Sequence, residues 1–388
     1  MIRNISIGID LGSAVTRVVV GEFVKGEKNP KIVGTGEAET KGVRHGYVVN
    51  VPLAVNSLKN AVSSAEKNSG IKIRRAFISI GGLTLRGDTA SGMGIISKAD
   101  GEVTNLDINK ALEDCENNLN LNNKKVIKIF PVSFKLDGKE ILGRPEGMRG
   151  TKLEIRALFI TCSNSHFEDL LEVVTLAGIE PVDVIASPVA GSRIAMSARQ
   201  KIVGGALVNI GSETVTLSVF ENEMLVSLHT FSIGGSDITN DIALGMRVSL
   251  ENAERLKIGN IAEEFSKKKL GEIVEARFFD IFELIENHFK KIKRNELLPA
   301  GIVFIGGAAN TPMIEEYSKS ALKLPSKIGA TEIFGNNIKT KLRDPSWFTV
   351  LGLLMSDEEN SFHSEGLFKN FFKNLKRMAK SNIKQLMP

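Results

Sequence analysis

Ile5-Ser-Ile-Gly-Ile-Asp-Leu-Gly-Ser13 carries an apolar strand pattern into a tight Asp-Leu-Gly-Ser turn, and Val15 to Phe23 resumes the pattern at once. Lys31 to Glu37 adds a third β-rich run after further glycines, so the spacing predicts an antiparallel meander. A helix is predicted from Pro52 to Lys67. Proline suits a first helical turn, and Leu53, Val55, Leu58, Ala61, Val62 and Ala65 recur at helical spacing. Ala76 to Ile80 then reads as a buried strand ending at Gly81-Gly82. The same order returns later in the chain: Gly205 to Val219, Met224 to Phe231, a helix near Gly235 to Ala243, and Gly301 to Ile305 ending at Gly306-Gly307. An α/β chain of two lobes with one plan is predicted.

Length and composition agree with that plan. The 388 residues are 24% charged and 42% hydrophobic, with 36 Gly and 11 Pro, which is ordinary for a folded chain and excludes collagen and wholesale disorder. The length exceeds the roughly 250 to 300 residues at which single cores stop growing. One Trp and two Tyr argue against an aromatic-rich carbohydrate or nucleic-acid surface. Cys115 and Cys162 lie far apart and form no metal-type spacing, so a reduced, cytoplasmic chain is expected. No signal peptide is expected before the strand at Ile5, and no apolar run approaches the ~18 residues of a spanning helix.

Each lobe is interrupted. Between Leu83 and Glu154 a segment carries its own helix, Asp107 to Leu121, and a strand at Val126 to Lys135. Val248 to Leu298 is mostly helical and charge-rich. Its stripe of Phe278, Phe279, Ile281, Phe282, Ile285 and Phe289 is expected to pack inward. The divisions expected are 1–82 with 159–190 (first lobe), 83–158 (inserted subdomain), 191–235 with 299–355 (second lobe), 236–298 (helical insertion), 356–365 (linker) and 366–388 (terminal helix).

Five constellations suggest chemistry. Asp10, Gly12 and Ser13 form a hairpin whose backbone can approach phosphate while Asp10 holds hydrated Mg²⁺; closing a turn is the plain alternative. Asn209, Gly211, Ser212 and Thr214 occupy the corresponding hairpin of the second lobe, and two facing hairpins make a clamp for a di- or triphosphate. Gly234 and Gly235 open a helix whose N–H groups would point at an anion, and Glu254 and Lys257, three apart on a helix, would both address a ribose. Gly306 and Gly307 would let a base or sugar lie on bare backbone. A capped helix, an ion pair and a strand-end turn explain these last features equally.

In fixed order, Asp10-x-Gly-Ser, Asn209-Ile-Gly-x-x-Thr214, Gly234-Gly-x-x-Ile-Thr239-x-Asp241-Ile-Ala, Ala253-Glu-x-Leu-Lys257 and Gly301-Ile-Val-Phe-Ile-Gly306-Gly resemble the actin/Hsp70 ATPase superfamily. Within it the chain resembles the bacterial cell-division family FtsA, also through Lys41-Gly-Val-Arg-His-Gly-Tyr-Val-Val49 and Trp347-Phe-Thr-Val-Leu-Gly352. The resemblance implies an actin-like fold of two RNase H-like lobes with ATP and Mg²⁺ between them and an FtsA-type inserted subdomain. It implies that the helical insertion receives the C-terminal tail of the tubulin-like division protein FtsZ. Asp10, Gly12, Ser13 and Arg17 would face phosphate and metal; Gly211, Ser212 and Thr214 would form the second phosphate hairpin. The family's usual Asp-Ile-Gly-Gly-Gly-Thr is replaced by Asn209, with Ser212 and Glu213 for two glycines. A lost metal-directed carboxylate and a Glu beside phosphate favour binding over hydrolysis, with at most weak ATPase activity expected. Arg277, Lys290, Lys291, Lys293 and Arg294 are candidate contacts for an acidic partner peptide.

From Gly366 to Pro388 there are six cations and no acids, and removing them turns the formal charge of +5 into −1. On a helix, Leu367, Phe368, Phe371, Phe372, Leu375 and Met378 fall on one arc, with Lys369, Lys373, Lys376 and Arg377 on another. The pattern predicts an in-plane membrane helix that binds anionic lipid rather than nucleic acid. Docking on the protein's own body, a calmodulin-type target and a nucleic-acid arm are the alternatives. With the resemblance, it implies a filament-forming adaptor, peripheral on the inner face of the cytoplasmic membrane at the division site, with other division proteins as partners. A small-molecule kinase of the superfamily and a pilus-assembly scaffold resembling PilM are the rival readings. The first would need a catalytic carboxylate, the second no terminal helix.

Overall fold

The computed structural model describes residues 4–27, 29–259, 265–331, 333 and 340–356. Its framework is one strand order used twice. In the first sheet the strands Asn4–Leu11, Val15–Phe23 and Lys31–Glu39 form the antiparallel meander, and Arg75–Ile80 and Glu180–Ala186 extend it in parallel on the other side of the first strand. In the second, Gly205–Ile210, Val215–Glu221 and Met224–Phe231 form the meander, extended by Ile302–Ile305 and Ser326–Ile328. Each opening strand is therefore central, paired antiparallel on one side and parallel on the other. Strands buried on both faces need continuous apolar runs, which is why Ile7 to Ile9 and Ala206 to Val208 lack polar alternation.

The predicted first helix spans Val51–Ser69. Asn50 caps it, its side chain accepting from Leu53 N–H at 3.0 Å, and Gly70 ends it at φ +69°. The segment after Leu83 is a separate four-stranded antiparallel sheet, in the order Arg86–Ile95, Lys152–Ser163, Lys124–Leu136 and Lys139–Ile141. The helix Asn105–Asn117 covers it and builds a core of its own with Ile108, Ala111 and Cys115. Cys115 and Cys162 are both free and buried, and burial pushes their thiols up to about 11 and about 12.

In the helical insertion, Lys267–Lys291 buries Phe278, Ile281, Phe282, Ile285 and Phe289 completely. Phe279 departs from the expected stripe and is 38% exposed. One residue advances a helix by about 100°, which carries it off the arc centred on Phe278, Phe282 and Phe289.

Two short helices cross between the lobes. Ser187–Ala195 follows the first sheet yet packs on the second, Gly191 meeting Ile305 and Leu207. Phe348–Leu353 follows the second sheet in sequence and packs against the first strand, where a Cβ at Gly8 would fall 2.7 Å from Val350 O and 2.9 Å from Leu353 Cβ, in a core that holds residues of both sheets. The two helices meet where a Cβ at Gly352 would fall 1.9 Å from the carbonyl oxygen of Ala190, so only glycine permits this approach. The whole terminal stretch expected to bind membrane, Leu367 to Met378 included, lies outside the described residues. Among the described residues, no helix is long and apolar enough to cross a membrane.

Candidate functional site

The repeated strand order places the two predicted hairpins at equivalent strand ends. In the first, Asp10 stands opposite Arg17 in the antiparallel register, so the two side chains share one face. Asp10 Oδ1 accepts the hydroxyl of Ser79 from the neighbouring parallel strand. Burial pushes the Asp10 carboxyl above the usual range, against the opposing pull of the Ser79 hydroxyl and the Arg17 charge. Gly12 is required by the turn, since a Cβ there would lie 2.8 Å from the Val15 carbonyl oxygen. Arg17 lies over the ring of Trp347, Cζ 5.4 Å from its centroid, and its buried Nε has no partner among the described residues.

In the second hairpin Gly211 N–H donates to Thr214 O at 2.9 Å. Asn209 Oδ1 rests where Gly306, at φ +93°, leaves room: a Cβ on Gly306 would sit 2.4 Å from it. Gly307 faces open space.

The start of the helix Gly235–Met246 corrects one expectation. Gly235 N–H donates to Gly211 O at 2.8 Å, Ser236 N–H to Ser212 O at 2.7 Å, and Gly234 N–H to Asp237 Oδ2 at 2.7 Å. The first two donors fasten the helix to the hairpin and the third closes the helix's own cap, so none of them points outward at an anion. The packing is close because Gly234 lacks a side chain: a Cβ would lie 2.4 Å from Ser212 O.

Glu254 and Lys257 also divide differently from the expectation that both address a ribose. Lys257 is buried and spends its three donors on Gly235 O at 3.1 Å, Thr239 Oγ1 at 2.8 Å and Glu254 Oε2 at 2.7 Å. It is an internal strut between two helices. Glu254 stays half-exposed and can present its second oxygen to a ligand.

Of the five expected partner contacts, three are already paired internally. Arg277 holds Asp241 through two bonds and Asp280 at 3.2 Å, Arg294 grips both oxygens of Glu221, and Lys290 pairs with Glu286 at 2.9 Å. Lys291 and Lys293 are exposed.

Ser79 belongs to the site and was not singled out from sequence, because its type carries no signal without knowing which strand lies beside Asp10; Thr239 and Trp347 lie within quoted motifs but were given no role there. Nor was the loop Arg44-His45-Gly46 given one, although it too lies within a quoted motif. Gly46 N–H donates to Ser13 Oγ at 3.0 Å, and Arg44 and His45 both contact Glu213 across the cleft.

A family model described as cell division protein FtsA matches residues 206–352, and one described as the SHS2 domain inserted in FtsA matches residues 82–161. The FtsA of Bacillus subtilis is 28% identical over 374 residues, covering 91% of this chain and 83% of that protein. The FtsA of Pseudomonas aeruginosa is 27% identical over 371 residues, covering 90% and 88%. Among solved structures, the PilM–PilN type IV pilus biogenesis complex matches with a TM-score of 0.68 at 14% identity, covering 90% of this chain and 97% of that one. MreB5 of Spiroplasma citri bound to ADP matches with 0.54 at 14%, covering 92% and 96%. These structural likenesses establish an actin-like fold.

Proposed function

Since the chain belongs to the FtsA family of cell-division proteins, we propose that it is an ATP-binding, actin-like adaptor that polymerises and tethers FtsZ filaments to the inner face of the cytoplasmic membrane. The observation that supports the nucleotide part is that one loop ties the two hairpins together, Gly46 bonding Ser13 of the first while Arg44 and His45 bond Glu213 of the second. Ser212 and Gly307 offer backbone N–H groups there, Arg17 offers a buried donor without a partner among the described residues, and Asp10 is the carboxylate for a hydrated Mg²⁺. Bound Mg²⁺ would offset phosphate charge; a magnesium ion held by one carboxylate, water and phosphates needs no protein cage. Glu254 is the residue left to meet a ribose.

The membrane part rests on the charge pattern of 366–388. Burying Leu or Phe contributes about 1.5 to 3 kcal/mol each and a cation near an anionic surface about 1 kcal/mol, against about 1 to 2 kcal/mol per residue to order the tail. One tail then binds reversibly, and a filament carrying many gains avidity. Of the five candidate cations, Lys291 and Lys293 are the two left for an acidic FtsZ tail. Co-sedimentation with anionic and neutral liposomes, using the full chain and one ending at Glu365, tests the anchor. The full chain should pellet with anionic vesicles and the shortened one should stay in solution. Equal pelleting would refute the anchor and favour a PilM-like scaffold.

A further inference from the structure

Glu213 places a carboxylate inside the second hairpin, between Ser212 and Thr214, where an unpaired negative charge would repel phosphate. The side chain is instead drawn across the cleft. Its Oε1 lies 2.6 Å from Arg44 Nε, its Oε2 accepts the His45 N–H at 2.6 Å, and its own carbonyl oxygen lies 3.1 Å from His45 Nδ1. Arg44 and His45 belong to the first lobe, in the loop after Lys31–Glu39, whereas Glu213 belongs to the second.

The loop is built to hold that position. His45, at φ +49°, is the first of the two turn residues that join the short paired strands Val43–Arg44 and Tyr47–Val48, as a tight hairpin turn with left-handed backbone at both positions requires. Gly46 behind it, at φ +81°, is wedged on the Gly81-Gly82 turn, where a Cβ would fall 2.3 Å from Gly82 Cα. The His45 N–H is thereby fixed in direction. Arg44 is 68% exposed and Glu213 only 13%, so the arginine is the removable half of the pair.

We propose that Arg44 is a positioning residue for the nucleotide: it neutralises and retains Glu213, keeping negative charge out of the second phosphate hairpin. Because Arg44 and His45 come from the opposite lobe, this neutralisation exists only when the lobes are together. Polyphosphate binding therefore selects the closed cleft. The proposal rests on the nucleotide reading above, and its consequence is sharper for ATP than for ADP, since the former brings more negative charge.

The test is a cycle of four full-length proteins, wild type, Arg44→Ala, Glu213→Ser and the double variant, with Arg44→Lys as the conservative control. Mg²⁺–ATP and Mg²⁺–ADP affinities are measured by calorimetry. Arg44→Ala should weaken ATP on the order of tenfold and ADP less, as expected for one freed charge a few ångströms from the ligand. Arg44→Lys should retain most of the affinity. Glu213→Ser should lose none, and Arg44→Ala added to it should cost nothing further. Unchanged ATP affinity in Arg44→Ala, or an equal loss in both backgrounds, would overturn the proposal while leaving the nucleotide site standing. Failure of every protein, wild type included, to bind nucleotide would remove both.

Discussion

Arg17 and Trp347 are stacked, the guanidinium carbon 5.4 Å from the indole centroid, although 330 positions of sequence separate them. Lys341 Nζ lies 4.9 Å from the same ring centroid and also pairs with Glu37 of the first sheet. The indole thus links the strand facing Asp10 to the segment entering the crossing helix Phe348–Leu353.

Trp347 is the sole tryptophan, so its emission reports this junction without interference. Nucleotide and Mg²⁺ should change that emission in the wild type. Arg17→Ala should abolish the change and lower stability by about 1 kcal/mol, the size of a partly desolvated cation–π contact. Fluorescence titration and urea unfolding read the two effects separately.

Lys257 should matter through the helices it braces. Lys257→Met leaves the Gly235 carbonyl, Thr239 and Glu254 without their shared donor, which should cost roughly 2 kcal/mol in chemical denaturation. A residue acting only on a ribose would leave the denaturation midpoint of the ligand-free protein where it was.

Gly352→Ala should separate the crossing helices, because the new methyl would collide with Ala190 backbone. Backbone cannot rotate away as a side chain does, so a loss of about 3 kcal/mol is expected. Gly307→Ala is the matched control, its Cβ meeting nothing within 4 Å. Equal unfolding midpoints for the two variants would contradict this account of the helix crossing.

His288 gives stability a defined pH dependence. Burial, with the nearby His229 and Lys291 charges, lowers it to about 4, from an ordinary value near 6.5. The unfolded chain then binds the proton more readily than the folded one, so stability is full above about 6.5 and falls as pH drops toward about 4. Partial exposure screens the effect to about 1 to 2 kcal/mol. His288→Gln can keep a bond to Ser227, which the native Nε2 makes at 2.8 Å, and should flatten this part of the curve. A His288→Gln pH–stability curve that overlays the wild type between pH 4 and 6.5 would count against it.

Asn209→Asp should raise Mg²⁺-dependent ATP turnover by restoring a carboxylate at the strand end facing Gly306. A phosphate-release assay measures it, and no increase would mean that the missing charge is not what limits hydrolysis.

The lobes were legible in the sequence because strand order and turn chemistry are local: Asp10-Leu-Gly-Ser and Asn209-Ile-Gly-Ser-Glu-Thr each follow a short apolar run that, bounded by glycine turns, reads as a buried strand. Periodicity located the helix Val51–Ser69 within a residue or two, and it read the Phe278 stripe correctly except at Phe279. The charge pattern of 366–388 is likewise a property of sequence alone.

Only the tertiary structure decided which donors are free. A helix start looks the same in sequence whether its N–H groups meet an anion or the carbonyls of Gly211 and Ser212, and a lysine looks the same whether it faces ligand or Thr239. It also decided that Arg44 meets Glu213 and that Phe348–Leu353 crosses to the first lobe. Hydrogen bonds and ion pairs depend on ångström distances between groups far apart along the chain. Pattern along the chain determines what each segment is, and packing in space determines what each segment touches.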